Sequence, residues 1–150
     1  MKALTIKQPW LWCITDHTKR VENRTWKPPY YMVGQRIALH ASKARDSAEW
    51  DAACDLVKIA LPSFDDLPLG AIVATARLVG FVAVKQNRTV EVVYDLEYYQ
   101  WRDDPWFFPP AVGWLLSDVR KLSQPIPCRG ALGLWNVPDE MAKQILEDAR

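Results

Sequence analysis

Residues 19–26 read Lys19-Arg20-Val21-Glu22-Asn23-Arg24-Thr25-Trp26. From Val21 to Trp26 the side chains follow the two-residue period of a strand, so Glu22, Arg24 and Trp26 share one face while Val21, Asn23 and Thr25 occupy the other. A carboxylate, a guanidinium and an indole in one row suit the floor of a binding depression. A cross-strand ion pair beside a core Trp accounts for them too. Lys19 stands at the entrance to this strand and flanks Glu22 with a second cation.

Upstream, Leu4 and Ile6 alternate with polar neighbours as in a short strand, and Gln8-Pro9 then turns the backbone. Pro9 suits a first helical position, and Trp10, Cys13 and Ile14 recur at helical spacing until Asp16-His17. Downstream, Lys27-Pro28-Pro29 ends the strand and Gly34 marks a turn. Residues 36–41 form the next strand, with Ile37 and Leu39 toward the core and His40 on the opposite side. Ser42 fits a helix N-cap better than a nucleophile. The helix expected over 44–60 carries Ala52, Leu56, Ile59 and Ala60 on one stripe, with Ala53 and Val57 at its edge, and Pro62 stops it.

Residues 71–84 are nearly all apolar, the mark of a strand covered on both faces, with Gly80 a candidate bend or bulge. Between 90 and 101 two periods compete: Val90, Val92 and Tyr94 alternate, whereas Tyr94, Tyr98 and Trp101 keep helical spacing. Trp106-Phe107-Phe108, bracketed by prolines, is an aromatic loop that either caps the fold or presents a surface. Residues 112–116 and 131–135 read as strands on either side of a turn at Gln124-Pro125-Ile126-Pro127. Residues 139–149 read as a closing helix burying Met141, Ile145 and Leu146. Strands interrupted by three helices favour a small curled sheet or barrel over a doubly wound α/β fold.

At 150 residues, the chain is long enough for one domain that buries roughly 70% of its unfolded surface. Its net charge of +1 gives no global field for a polyanion, but the charge is uneven. It is +5 through residue 50, −4 over 51–110 and 0 thereafter, which makes the N-terminal third the candidate face for phosphate. Cys13, Cys54 and Cys128 are isolated, so neither a disulfide framework nor a Cys-rich metal site is expected. The N-terminus is too polar by Lys7 for a signal peptide and no apolar run is of membrane-spanning length, so the expected location is cytoplasmic, away from membranes. Absence of GxGxxG and GxxxxGK[ST] removes the ordinary dinucleotide and P-loop readings.

Three groups of residues carry candidate chemistry. Glu22 can accept a base-edge N–H or position water, while Lys19 and Arg24 can bind phosphate or steady a developing oxyanion. His40, Ser42 and Lys43 bring imidazole, hydroxyl and ammonium groups to what is expected to be the rim of the same depression. Trp26 and one member of Trp106-Phe107-Phe108 are the best stacking candidates among eight Trp and four Phe. No metal site is expected: paired His and Cys motifs are missing, and nothing in the spacing of Glu22, Glu91 and Asp118 demands an ion.

Three stretches together, Leu4-Thr5-Ile6-Lys7-Gln8-Pro9-Trp10, the Lys19 to Trp26 segment and Leu39-His40-Ala41-Ser42-Lys43, resemble an ASCH domain of the PUA-like group. Gly70-Ala71-Ile72-Val73-Ala74, Val112-Gly113-Trp114, Pro125-Ile126-Pro127-Cys128-Arg129-Gly130 and Leu134-Trp135 follow in the family's order, so the likeness covers about residues 3–137. It implies an α+β fold, a PUA-like curled β-barrel with flanking helices, as a single domain over 1–150. It also implies a basic cleft for RNA, single-stranded DNA or a modified nucleoside.

In that reading Lys19, Arg24 and Lys43 contact phosphate or polar base groups, Glu22 selects the base edge, Trp26 stacks, and His40 and Ser42 line the rim. The alternative is a small hydrolase acting on N4-acylcytidine, or a metal-assisted ribonuclease, with Lys19, Glu22 and His40 as its catalytic groups. No cofactor is expected, Mg²⁺ or Mn²⁺ entering only in the ribonuclease case. Some ASCH proteins hydrolyse N4-acylated cytidines with a Lys, a Thr and an acidic residue. Lys19 and Arg24 fall on matching positions, but Glu22 stands where the nucleophilic Thr would be. A third reading, a protein-interaction module, rests on the aromatic loop and the closing helix.

Overall fold

The computed structural model describes residues 1–58, 60–84, 90–94 and 101–149. Its strands are β1 (Lys2–Ile6), β2 (Val21–Arg24), β3 (Arg36–Ala41), β4 (Ala71–Val84), β5 (Val90–Tyr94), β6 (Val112–Pro127) and β7 (Leu134–Asn136). Its helices are α1 (Trp10–Asp16), α2 (Ser47–Val57) and α3 (Asp139–Asp148). The α+β, PUA-like class is the one observed: a mixed sheet with three helices.

The chain forms two compact units, residues 1–18, 36–76 and 119–150 in the first, and residues 19–35 and 77–118 in the second. Strands β4 and β6 run from one into the other.

In the first unit the hydrogen-bonded order is β4-β3-β1-β7. The β1–β3 ladder is parallel, which sets Thr5 beside His40, and β7 closes on β1 antiparallel. A parallel neighbour requires a crossover, and here the chain between Ile6 and Arg36 supplies it. Both faces of β3 are covered: Ile37, Ala38, Leu39, His40 and Ala41 are all buried, so the side that carries His40 is buried as well as the one that carries Ile37 and Leu39.

Helix α3 packs Ala142 and Ile145 against Ala3, Ala38, Ile72, Leu122 and Val137. Burial of Ile145 is worth about 1.5–3 kcal/mol. Leu146, expected in that contact, is exposed instead, and Met141 is only partly buried.

Helix α2 is shorter than its apolar spacing implies and begins at Ser47, because Asp46 caps it by accepting from the Glu49 N–H at 3.4 Å. Such a cap is worth ~1 kcal/mol. Ser42 is therefore not the cap; its Oγ accepts from the Ala44 N–H within a local turn. The buried face of α2 is Ala53 and Val57, whereas Ala52 and Ala60 are exposed, Leu56 is partly so and Ile59 lies outside the described residues. Ahead of α1, buried Gln8 donates to the Pro68 carbonyl and accepts from the Trp12 N–H, which ties the helix start to the 68 loop.

In the second unit the order is β2-β6-β4-β5. Strand β2 ends at Arg24, two residues short of the alternating run, and Trp26 sits in a bend where its carbonyl accepts from the fully buried Trp114 indole at 3.0 Å. The aromatic loop caps this unit. Asn23 donates to the Trp106 carbonyl and accepts from the Phe108 N–H, and Trp106 and Phe107 are buried while Phe108 is exposed. Gly113 is required there, since a Cβ would lie 2.8 Å from both Phe107 and Val21.

Residues 90–94 pair antiparallel with 80–84, so Gly80 opens a ladder rather than marking a bulge. The helical alternative for that region rests on Tyr98 and Trp101, and 95–100 lie outside the described residues. The expected turn at 124–127 is instead the end of the long strand β6, while the strand expected over 131–135 shrinks to three residues at 134–136.

Candidate functional site

The residues singled out from the sequence fall into two groups, one in each unit. Lys19, Glu22, Arg24 and Trp26 belong to the second, and His40, Ser42 and Lys43 to the first.

In the second unit, strand alternation sets Glu22 and Arg24 side by side, and Lys19, three residues before Glu22, reaches the same carboxylate. Lys19 Nζ lies 2.8 Å from Glu22 Oε2 and Arg24 Nη2 lies 3.1 Å from Oε1. Lys19 Nζ also donates to the Val21 carbonyl. The side chains are 2%, 9% and 23% exposed for Lys19, Glu22 and Arg24 respectively, so exposure rises outward along the cluster to the guanidinium. Both carboxylate oxygens thus already accept from cations, leaving fewer lone pairs for water or a base edge. Trp26 is half-buried and packs edge-on against Trp114, with centroids 4.6 Å apart and planes at 81°. Glu91, weighed as a metal ligand, pairs instead with Lys27 and the Tyr30 hydroxyl, the latter at 2.6 Å.

The first unit holds a cavity of about 490 Å³, lined by Thr5, His40, Ser42, Lys43, Arg129 and Gly130 among others. That volume falls within the range of small-molecule sites. Thr5 is already spent: its hydroxyl donates to the Ala131 carbonyl at 3.0 Å and accepts from the Trp135 indole at 3.1 Å. Trp135 also packs edge-on against the His40 ring, 5.7 Å between centroids.

His40 is 2% exposed, and its Nε2 donates to the Cys128 carbonyl at 3.1 Å. A nitrogen facing a carbonyl carries the hydrogen, so in the neutral ring Nδ1 bears the lone pair. Nδ1 is buried and has no hydrogen-bond partner among the described residues. A Cβ on Gly130 would lie 2.4 Å from His40 Cε1 and 2.6 Å from Nδ1, so residue 130 packs against this edge of the ring and has no room for a side chain. Lys43 and Arg129 are exposed and pair with no carboxylate among the described residues. None of the lining residues is acidic.

A second cavity of about 360 Å³ in this unit, bounded in part by Asp16, Asp66 and Lys121, differs in that its lysine is matched by Asp16 at 2.6 Å.

Burial holds the His40 imidazole below the usual histidine value; the Cys128 carbonyl opposes this and the Lys43 charge adds to it. In the unfolded chain the ring takes its proton near pH 6.5, but the folded chain resists until lower pH. The contribution to stability is therefore present above about pH 6.5 and lost as the pH falls through the depressed folded value. Lys43 and Arg129 line the same cavity, and burial raises the nearby Cys128 thiol. Thermal unfolding followed from pH 8 to pH 5 is expected to show a downward slope below about pH 6.5 that His40→Gln flattens. An unchanged slope in the variant would mean that His40 is not the group responsible.

Arg129, Gly130 and Thr5 were not reached as site residues from the sequence. The one local signal was Gly130 at the end of Pro125-Ile126-Pro127-Cys128-Arg129-Gly130. Among the described residues, no three His, Cys, Asp or Glu side chains cluster as metal ligands, and no helix is long and apolar enough to cross a membrane.

The mixed sheet with its flanking helices is consistent with a PUA-like α+β domain. Residues 4–113 match the ASCH domain, and the chain belongs to that family. No curated protein matches the sequence.

Proposed function

We propose that this ASCH domain binds nucleic acid or a modified nucleoside, as RNA or single-stranded DNA. The reading is carried by one observation: the cavity of the first unit has two exposed cations, Lys43 and Arg129, unmatched by any carboxylate, at the edge of an otherwise uncharged interior. Cations left unpaired in a folded protein suit a polyanionic partner, because phosphates then replace released counterions instead of competing with resident acids. Within the second unit, Arg24 is the least buried member of its cluster and serves as the outward contact, held in position by Glu22 beside the buried Lys19.

The hydrolase reading asks Glu22 to activate water, yet each of its oxygens is engaged by a cation, which favours binding over catalysis. The test is a fluorescence-anisotropy titration with labelled RNA and DNA octamers. Binding is expected at about 50 mM salt and is expected to weaken about tenfold by about 200 mM as counterions compete. No binding of either polymer at the lower salt overturns the nucleic-acid reading.

A further inference from the structure

The His40 side chain poses a question that the rim cations do not answer. Buried polar atoms are nearly always paired, and leaving an acceptor dry is costly, so an orphan buried nitrogen in a cavity marks the place of a missing donor. Here the orphan is Nδ1, on a ring fixed by the Nε2 bond to Cys128 and the Trp135 contact. Beside it lies Gly130, where a Cβ would clash with the ring, and the neighbouring Thr5 hydroxyl donates to Ala131 and accepts from Trp135.

A ligand reaching this nitrogen must therefore present a hydrogen-bond donor, and with Lys43 and Arg129 at the rim it carries anionic charge nearby. Flat nitrogen heterocycles with edge N–H groups, attached to phosphate, meet both demands. Their edges are what proteins read in unpaired nucleic acid.

We propose that the cavity is a nucleobase site in which the His40 Nδ1 lone pair accepts an N–H from the base edge while Lys43 and Arg129 take the adjoining phosphates. The proposal rests on the nucleic-acid reading and adds to it the specificity-determining residue and the donor it demands. The Ser42 hydroxyl, which accepts from Ala44 and keeps its own hydrogen, provides a donor for the neighbouring carbonyl or ring nitrogen of the base.

The test uses the wild-type protein with labelled histidine nitrogens. The chain has only two histidines, so His40 and His17 are readily distinguished. Titration with oligouridine and oligocytidine octamers is expected to move the His40 Nδ1 resonance upfield while that of His17 stays in place. Octamers methylated at uracil N3, or dimethylated at cytosine N4, are expected to bind at least tenfold more weakly, because an unmet buried acceptor remains. Uridine and cytidine monophosphates form a parallel arm, and a response to them equal to that of the octamers assigns the site to free nucleotides rather than to a strand.

If the octamers bind while His40 Nδ1 stays still, or if methylation costs less than threefold, the base-reading role of His40 is overturned and the domain still binds nucleic acid. If no octamer binds, the broader reading fails instead.

Discussion

Glu22→Leu is expected to lower the unfolding free energy by about 3–5 kcal/mol, read as a shift in urea midpoint at constant slope. The reason is Lys19. Its side chain is 2% exposed and its ammonium lies 2.8 Å from the Glu22 carboxylate, so removing that carboxylate takes a close opposite charge away from a buried cation. Arg24 loses its contact with Glu22 as well, but at 23% exposed it is partly solvated and contributes less to the penalty.

The double replacement Lys19→Met with Glu22→Leu is expected to recover much of the loss, since a buried ion pair exchanged for apolar groups of similar size is often neutral. The coupling between the two sites in a double-mutant cycle then separates the pair from the general cost of either substitution. A Glu22→Leu protein within 0.5 kcal/mol of wild type would show that the cluster is screened by water and does not organise β2.

This cluster was legible because it is local. Alternation gives Glu22 and Arg24 a common side, and three residues of chain are enough to return Lys19 to the same carboxylate. The cavity was legible only in part. His40, Ser42 and Lys43 are neighbours in sequence, but the ring's surroundings come from the parallel register that sets Thr5 beside His40 and from a loop that brings Ala131 to Thr5 across 126 positions. A register between distant strands is set by packing across the fold, which local periodicity does not reveal.

Elsewhere, errors arose where two local rules pointed to different outcomes. The prolines at 125 and 127 read as a turn, although a strand end tolerates them. Ser42 and Asp46 are both good caps, and the helix took the one four residues nearer its apolar face. In α3, Met141 and Leu146 flank the same stripe as Ala142 and Ile145, and the packed sheet chose the narrower pair.

Replacing both Lys43 and Arg129 with glutamine is expected to weaken binding of an RNA octamer about a hundredfold at about 50 mM salt, with charged hydrogen bonds of about 1.5–3 kcal/mol each as the source. The dependence on salt distinguishes this from a loss of folding. Each phosphate contact on a single strand contributes about 0.7 to the slope of log affinity against log salt, so two lost contacts flatten it by about 1.4, and the variant and wild-type lines converge as salt rises.

Unfolding should barely register the change, within about ±0.5 kcal/mol, because both side chains are exposed and neither holds a carboxylate among the described residues. The two clusters therefore answer to different measurements: the buried pair at Lys19 and Glu22 to denaturant, the rim at Lys43 and Arg129 to salt. Were the glutamine variant to bind with unchanged affinity and slope, the phosphates would run elsewhere on the protein. Lys43 and Arg129 would then owe their lack of a carboxylate among the described residues to nothing more than exposure.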